Sequence, residues 1–171
     1  MNKKLLIFFY LLLGLIASFF ASQALAQSTK VAVSPDMVVK TLYRNYAWEV
    51  IFLNSASDEL TDQSSGELLK YFTPELVKLI IKDRACREKT GDACALDFDP
   101  IFSSQDRGSV RDLEIGAMDA TGIVKVKFRT STIRPIVELR LKMKSTSLGW
   151  RIDDINYEQG RPSLHQLLSS R

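Results

Sequence analysis

Hydrophobic positions along this chain follow three rhythms. Residues 5–20 are almost continuously apolar, much of residues 34–81 carries apolar side chains at intervals of three and four, and residues 113–155 alternate apolar with polar. The middle rhythm predicts helices. Ser34-Pro35-Asp36 supplies an N-cap, a proline suited to the first helical position and an acid in the first turn, and Val39, Leu42, Tyr43, Tyr46, Ala47 and Val50 then recur on one face. A second stripe of Val38, Thr41, Asn45, Trp48 and Phe52 runs along the other side. It suits either a helix sandwiched between two layers or one that shows Trp48 and Phe52 to a pocket or partner. Thr73-Pro74-Glu75 repeats the start signal, with Leu69, Phe72, Leu76, Val77, Ile80 and Ile81 as its apolar face. A short helix is expected to give way there to a longer one running toward Cys86.

After Cys94 the period changes. Leu113-Glu114-Ile115 begins a strand and Asp119-Ala120-Thr121-Gly122 reads as a turn. Val124, Val126 and Phe128 then alternate with Lys125, Lys127 and Arg129, and Val137, Leu139, Leu141 and Met143 with Glu138, Arg140, Lys142 and Lys144. These predict two half-buried strands of an antiparallel sheet. Trp150-Arg151-Ile152-Asp153-Asp154-Ile155 predicts a last strand, and residues 163–168 a short terminal helix. Helices followed by antiparallel strands mean an α+β domain whose helices cover one face of the sheet.

The first rhythm changes what the composition means. Met1-Asn2-Lys3-Lys4 is positive, the apolar run follows, and Ala24-Leu25-Ala26 offers small residues at the positions a signal peptidase reads. Residues 1–26 are therefore expected to be a cleaved signal peptide, with an uncleaved anchor as the alternative because the run approaches the minimum for spanning a bilayer. Residues 27–171 are expected to form a single domain, exported to the periplasm and without a stable membrane anchor. No Cys follows the run to accept a lipid. The whole chain of 171 residues is 46% apolar and 25% charged with net charge +3, and loss of Lys3 and Lys4 leaves 21 basic against 20 acidic residues, a net charge of +1. Such a balance gives no support to nucleic-acid binding.

Cys86 and Cys94 flank Arg87-Glu88-Lys89-Thr90-Gly91-Asp92-Ala93, a polar segment with a glycine. In an oxidising compartment the pair reads as one structural disulfide. Metal binding needs more ligands than two Cys and the distant His165, and a redox site favours closer spacing. Residues 54–65 and 87–92 are the expected polar breaks. The bond would stiffen a protruding loop, which makes Arg87, Glu88, Lys89 and Asp92 candidate partner-binding residues.

Helices first, a meander of long strands next and a closing Gly149-Trp150-Arg151-Ile152-Asp153-Asp154-Ile155 resemble the nuclear transport factor 2-like (cystatin-like) superfamily. Tyr71-Phe72-Thr73-Pro74-Glu75-Leu76 and Asp97-Phe98-Asp99-Pro100-Ile101-Phe102, with Gln105-Asp106 behind it, are similar to an exported bacterial family of unknown function that has periplasmic and lipoprotein members. The resemblance implies a cone, a strongly bent sheet wrapped around helices with a cavity at its open end. Fold does not fix function in that superfamily.

Three function classes follow. An isomerase- or dehydratase-like enzyme would need acid and base groups in the cavity, and the resemblance to ketosteroid isomerase-like members points on paper to Tyr43, Tyr46, Asp99, Asp106 and Asp154. No nucleophile-elbow, zinc-protease or phosphate-loop motif is present, and no catalytic residue is assigned. A carrier or sensor would hold a small molecule or lipid in the cavity, lined by Tyr43, Tyr46, Trp48, Asp99 and Trp150. A protein-binding module would use the disulfide segment or the polar hairpin face, where Lys125, Lys127, Arg129, Arg140, Lys142 and Lys144 put six cations on one surface relieved by Glu138. Like charges across strands cost stability unless acids from neighbouring elements or an acidic partner offset them. Anionic envelope components would fit the same charge. The Asp97 and Asp99 spacing fails the calcium-loop pattern, because Ile101 takes the third ligand position, so no metal or cofactor is expected. The leading expectation is a non-enzymatic envelope protein acting by protein–protein contact. One concrete form is an immunity protein that inhibits a type VI secreted peptidoglycan amidase, a cell-wall hydrolase; a homodimer stays open.

Overall fold

A computed structural model of the chain describes residues 33–51, 59–105, 110–130, 136–158 and 160–170, with side chains up to residue 46 in the first of these stretches. The expected signal peptide, the side chain of Trp48, Phe52 and Asp106 lie outside the described residues. Among the described residues no helix is long and apolar enough to cross a membrane.

Helix α1 (Pro35–Ile51) starts where the Ser34-Pro35 signal placed it, with the Met37 and Val38 N–H groups donating to the Ser34 carbonyl. Val39, Leu42, Tyr43 and Tyr46 are buried as one face. The second stripe is only partly buried: Val38 joins the core, Thr41 is half-buried and Asn45 is exposed. A 3-10 turn (Leu60–Asp62) and the single turn α2 (Ser65–Leu68) lead into α3 (Pro74–Thr90). Thr73 caps α3 by accepting from the Leu76 N–H, and Leu76, Val77 and Ile80 enter the core.

Four strands form one open antiparallel sheet in the order β1 (Arg111–Ile115), β2 (Ile123–Arg129), β3 (Val137–Thr146) and β4 (Gly149–Asn156). The α+β expectation therefore holds, with helices ahead of the sheet and α4 (Leu164–Ser169) after it. Asp119 makes the β1–β2 turn as read from the sequence: its Oδ1 accepts from the Thr121 and Ile123 N–H groups at 2.9 and 3.1 Å. Val124, Val126 and Phe128 pair with Leu141, Leu139 and Val137, so the apolar sets of β2 and β3 share one face. With Met143, Ile152 and Ile155 they meet α1, α3 and α4 in a single core cluster.

The pairing is irregular at two places. β1 bulges between Arg111 and Glu114, where Asp112 takes φ 53°, and β4 bulges opposite Lys142. Bulges bend and twist the strands that carry them. At the β4 edge, the Ile152 N–H donates to the Tyr71 carbonyl at 2.7 Å, and the Thr73 N–H to the Ile152 carbonyl at 3.0 Å, a parallel bridge centred on Phe72 and Ile152. Arg151 Nε adds a bond to the Leu69 carbonyl at 2.6 Å. The link between α2 and α3 thus satisfies backbone groups that an edge strand otherwise exposes.

Candidate functional site

The residues expected to line a cavity are tied into the fold itself. Tyr43 is buried and donates its hydroxyl to the Ile101 carbonyl at 2.7 Å, with its ring edge-on to Phe102. Burial, with Asp99 nearby, pushes its pKa well above the ordinary tyrosine value. Asp99 turns its Oδ1 to the Ile101 and Phe102 N–H groups at 2.8 and 3.2 Å, as Asp does in loops. Tyr46 is buried edge-on to Tyr71. Trp150, half-buried at the start of β4, pairs with Ser145 and packs against the core margin. The structure brings Tyr43 and Asp99 together around one turn, while Tyr46 meets the Tyr71 ring and Trp150 lies at the core margin. Asp154 accepts from the Ile155 and His165 N–H groups at 2.9 and 2.8 Å, so His165 lies at the start of α4 with its ring near Ser169.

Sequence reasoning missed a tyrosine here. Tyr157 is buried and donates to the Pro100 carbonyl at 3.1 Å, and Arg161 stacks over both Phe98 and Tyr157 while reaching Ser103 Oγ at 2.9 Å. Tyr43 and Tyr157 thereby clamp the segment 98–103 from two sides. The aromatic spacing in that segment was visible, but the carbonyls that receive the hydroxyls are long-range partners that no local pattern announces.

The disulfide between Cys86 and Cys94 is present, with Cα atoms 6.1 Å apart. Its surroundings correct the expected polar break and protruding loop at 87–92. Helix α3 continues through Arg87, Glu88 and Lys89 to Thr90, and Gly91 ends it at φ 71° by donating its N–H to the Arg87 carbonyl. Basic residues in a last turn followed by glycine are a helix stop signal, and that signal stands in Arg87-Glu88-Lys89-Thr90-Gly91. Arg87 is not displayed. Its guanidinium meets Asp62 at 2.8 Å and faces buried Asp83 at 3.7 Å, while Asp83 Oδ1 accepts from the Ala95 N–H at 2.6 Å. Arg84 bonds the carbonyls of Asp62 and Gln63. The end of α3 is therefore a junction that ties the 3-10 turn and the 93–96 segment together, leaving Glu88, Lys89 and Asp92 exposed.

The outer face of the sheet is the surface left unexplained by the fold. Lys125, Lys127 and Arg129 on β2 and Arg140, Lys142 and Lys144 on β3 project from it, opposite the core positions. Neighbouring elements bring acids, as one of the two readings required. Glu138 meets Lys127 at 3.3 Å and Arg140 at 3.1 Å; Asp153 meets Lys142 at 3.5 Å and Lys144 at 3.6 Å; Asp112 meets Arg129 at 3.3 Å. The hydrogen bond from Arg140, with Lys127 beside it, holds the Glu138 carboxyl below its ordinary pKa. Asp153 reaches two lysines because the bulge in β4 sets Asp153 and Asp154 against the single residue Lys142. The cations stay uppermost: Lys127, Arg140, Lys142 and Lys144 keep 46, 59, 57 and 53% of their side chains exposed, against 16% for Glu138 and 21% for Asp153. Lys125 stands directly across from Arg140. Where β3 and β4 meet, Glu138, Arg140, Asn156, Tyr157 and Glu158 line an open groove of about 350 Å³.

Compared with protein-family models, with curated proteins and with solved structures, the chain matches none.

Proposed function

We propose that this protein is a non-enzymatic binding protein of the bacterial envelope that acts through protein–protein contact, with the outer face of β2 and β3 as its contact surface. The observation that carries the reading is the layering of that face, in which exposed ammonium and guanidinium groups stand over half-buried carboxylates. Each carboxylate serves two cations, so each trio retains one positive charge for an incoming partner. Complementary charge of this kind raises the encounter rate and selects orientation. Of the groups that an enzyme reading would recruit, Tyr43 and Asp99 bond backbone of the 99–102 turn and Asp154 bonds the Ile155 and His165 N–H groups.

Export rests on the Lys3-Lys4 segment, the apolar run and Ala24-Leu25-Ala26, and the disulfide fits an oxidising compartment. The order of helices before an antiparallel meander, with bulges that bend β1 and β4, supports membership of the nuclear transport factor 2-like superfamily. Inhibition of a cell-wall hydrolase is one form that the contact takes in this reading, with the sheet face replacing the disulfide segment as the principal determinant.

A photo-crosslinking residue at position 142, compared with one at position 89, tests the assignment in cells. The expected result is a discrete protein adduct from position 142 that Lys144→Glu abolishes. An adduct from position 89 alone, or one indifferent to Lys144→Glu, overturns it.

A further inference from the structure

The docking reading leaves the shape of the partner unstated, and the spacing of the cations supplies it. Resting on that reading, we propose that the face receives an extended acidic segment of a protein, laid along β3 with carboxylates on alternate residues.

Arg140, Lys142 and Lys144 occupy every second position of β3 on its outer side, so their stems start about 6.7 Å apart. An extended peptide repeats its own same-face side chains at that interval. Acids on alternate residues therefore meet all three cations in register, whereas in a run of consecutive acids every other carboxylate turns away. Glu138 holds Arg140, and Asp153 holds Lys142 and Lys144, so all three cations are in place before the partner arrives. A side chain already held loses less freedom on binding.

The groove marks where the acidic stretch ends. It opens beside Arg140 and is lined by Glu138, Asn156, Tyr157 and Glu158 as well as the guanidinium, so it suits peptide groups and uncharged or basic side chains of a protein segment, not further carboxylates. A lipid surface is favoured by apolar side chains that insert beside the cations. Among the described residues the large exposed apolar side chains are Val33, Met37, Leu113, Ile136 and Leu148; they fall before or within α1, on β1, ahead of β3 and in the β3–β4 turn, not between the cations.

Fluorescence anisotropy with the purified chain tests the proposal. The probes are a labelled peptide of alternating Glu and Ser, a peptide of the same composition with its Glu residues consecutive, and vesicles of equimolar phosphatidylglycerol and phosphatidylcholine. The alternating peptide is expected to bind several-fold more tightly than the consecutive one, and roughly tenfold more weakly when salt rises from about 0.05 to about 0.5 M. Lys142→Gln with Lys144→Gln is expected to weaken it about tenfold. Lys142→Glu with Lys144→Glu is expected to switch the preference to a peptide of alternating Lys and Ser, a reversal that misfolding does not produce. Equal binding of the two acidic peptides, or vesicle binding that the alternating peptide fails to displace, overturns the extended-segment proposal. If neither peptide binds while position 142 still yields its Lys144-dependent adduct, the docking face stands and the extended segment falls. If the adduct is missing as well, both fall.

Discussion

The two faces of the β2–β3 hairpin share a backbone and differ in what their side chains are answerable to. On the inner face Val124, Val126, Phe128, Leu139, Leu141 and Met143 are buried and fit one another, α1 and β4. On the outer face Lys127 and Arg140 share Glu138, Lys142 and Lys144 share Asp153, Arg129 meets Asp112, and each of these cations keeps roughly half its side chain in water. The inner face is constrained by volume, because protein interiors pack like crystals. The outer face is constrained by charge, and surface ion pairs contribute little to stability. The hairpin thus separates what holds the fold from what is free to select a partner.

Substitutions that exchange these roles give the sharpest contrast. Phe128→Ala, which empties a fully buried site beside Phe102, is expected to cost about 3 to 5 kcal/mol in urea denaturation. Replacing Cys86 and Cys94 by Ser acts away from both faces. Opening the ring that spans a sequence separation of 8 is expected to lower stability by roughly 2 to 3 kcal/mol, read as a shifted denaturation midpoint.

Tyr157→Phe removes one bond to the Pro100 carbonyl, with an expected loss of about 1 kcal/mol near neutral pH. Its alkaline behaviour is more telling. Burial raises the pKa values of Tyr43 and Tyr157 above the ordinary 10.0, so above pH 10 the unfolded chain releases protons that the folded chain retains. Their contribution is complete below pH 10 and declines as pH climbs past it. Circular dichroism followed from pH 8 to 12 should show that decline, shallower in Tyr157→Phe. Lys142→Gln, at the small end, is expected to change stability by no more than about 0.5 kcal/mol in the same denaturation experiment, while weakening partner capture. A large stability loss there would erase the distinction between the faces.

Much of this division was legible in the sequence, because alternation in Val124-Lys125-Val126-Lys127-Phe128-Arg129 is a local signal with a single geometric meaning. The starts of α1 and α3 were equally plain, since Pro35 and Pro74 fit the first helical turn. Arg87 reads as part of a disulfide-stiffened loop because the segment between the cysteines is polar, although Gly91 carries the information that the helix reaches past it. Tyr43 and Tyr46 read equally well as pocket or core at spacing i, i+3, and only the distant Ile101 carbonyl decides for Tyr43. Asp153 was hidden for another reason: the bulge breaks the strand period, so its partners Lys142 and Lys144 do not follow from counting by two.

The bridge between Phe72 and Ile152 also joins segments far apart along the chain. It joins the link between two helices to the last strand of the sheet, and nothing nearer in the chain offers Thr73 and Tyr71 those backbone partners. A chain made from its N-terminus cannot close this contact until β4 has been synthesised. Contacts between segments so far apart along the chain slow folding. Variants that weaken this contact are expected to prolong the interval in refolding during which the apolar sides of α1 and α3 stand open to other chains.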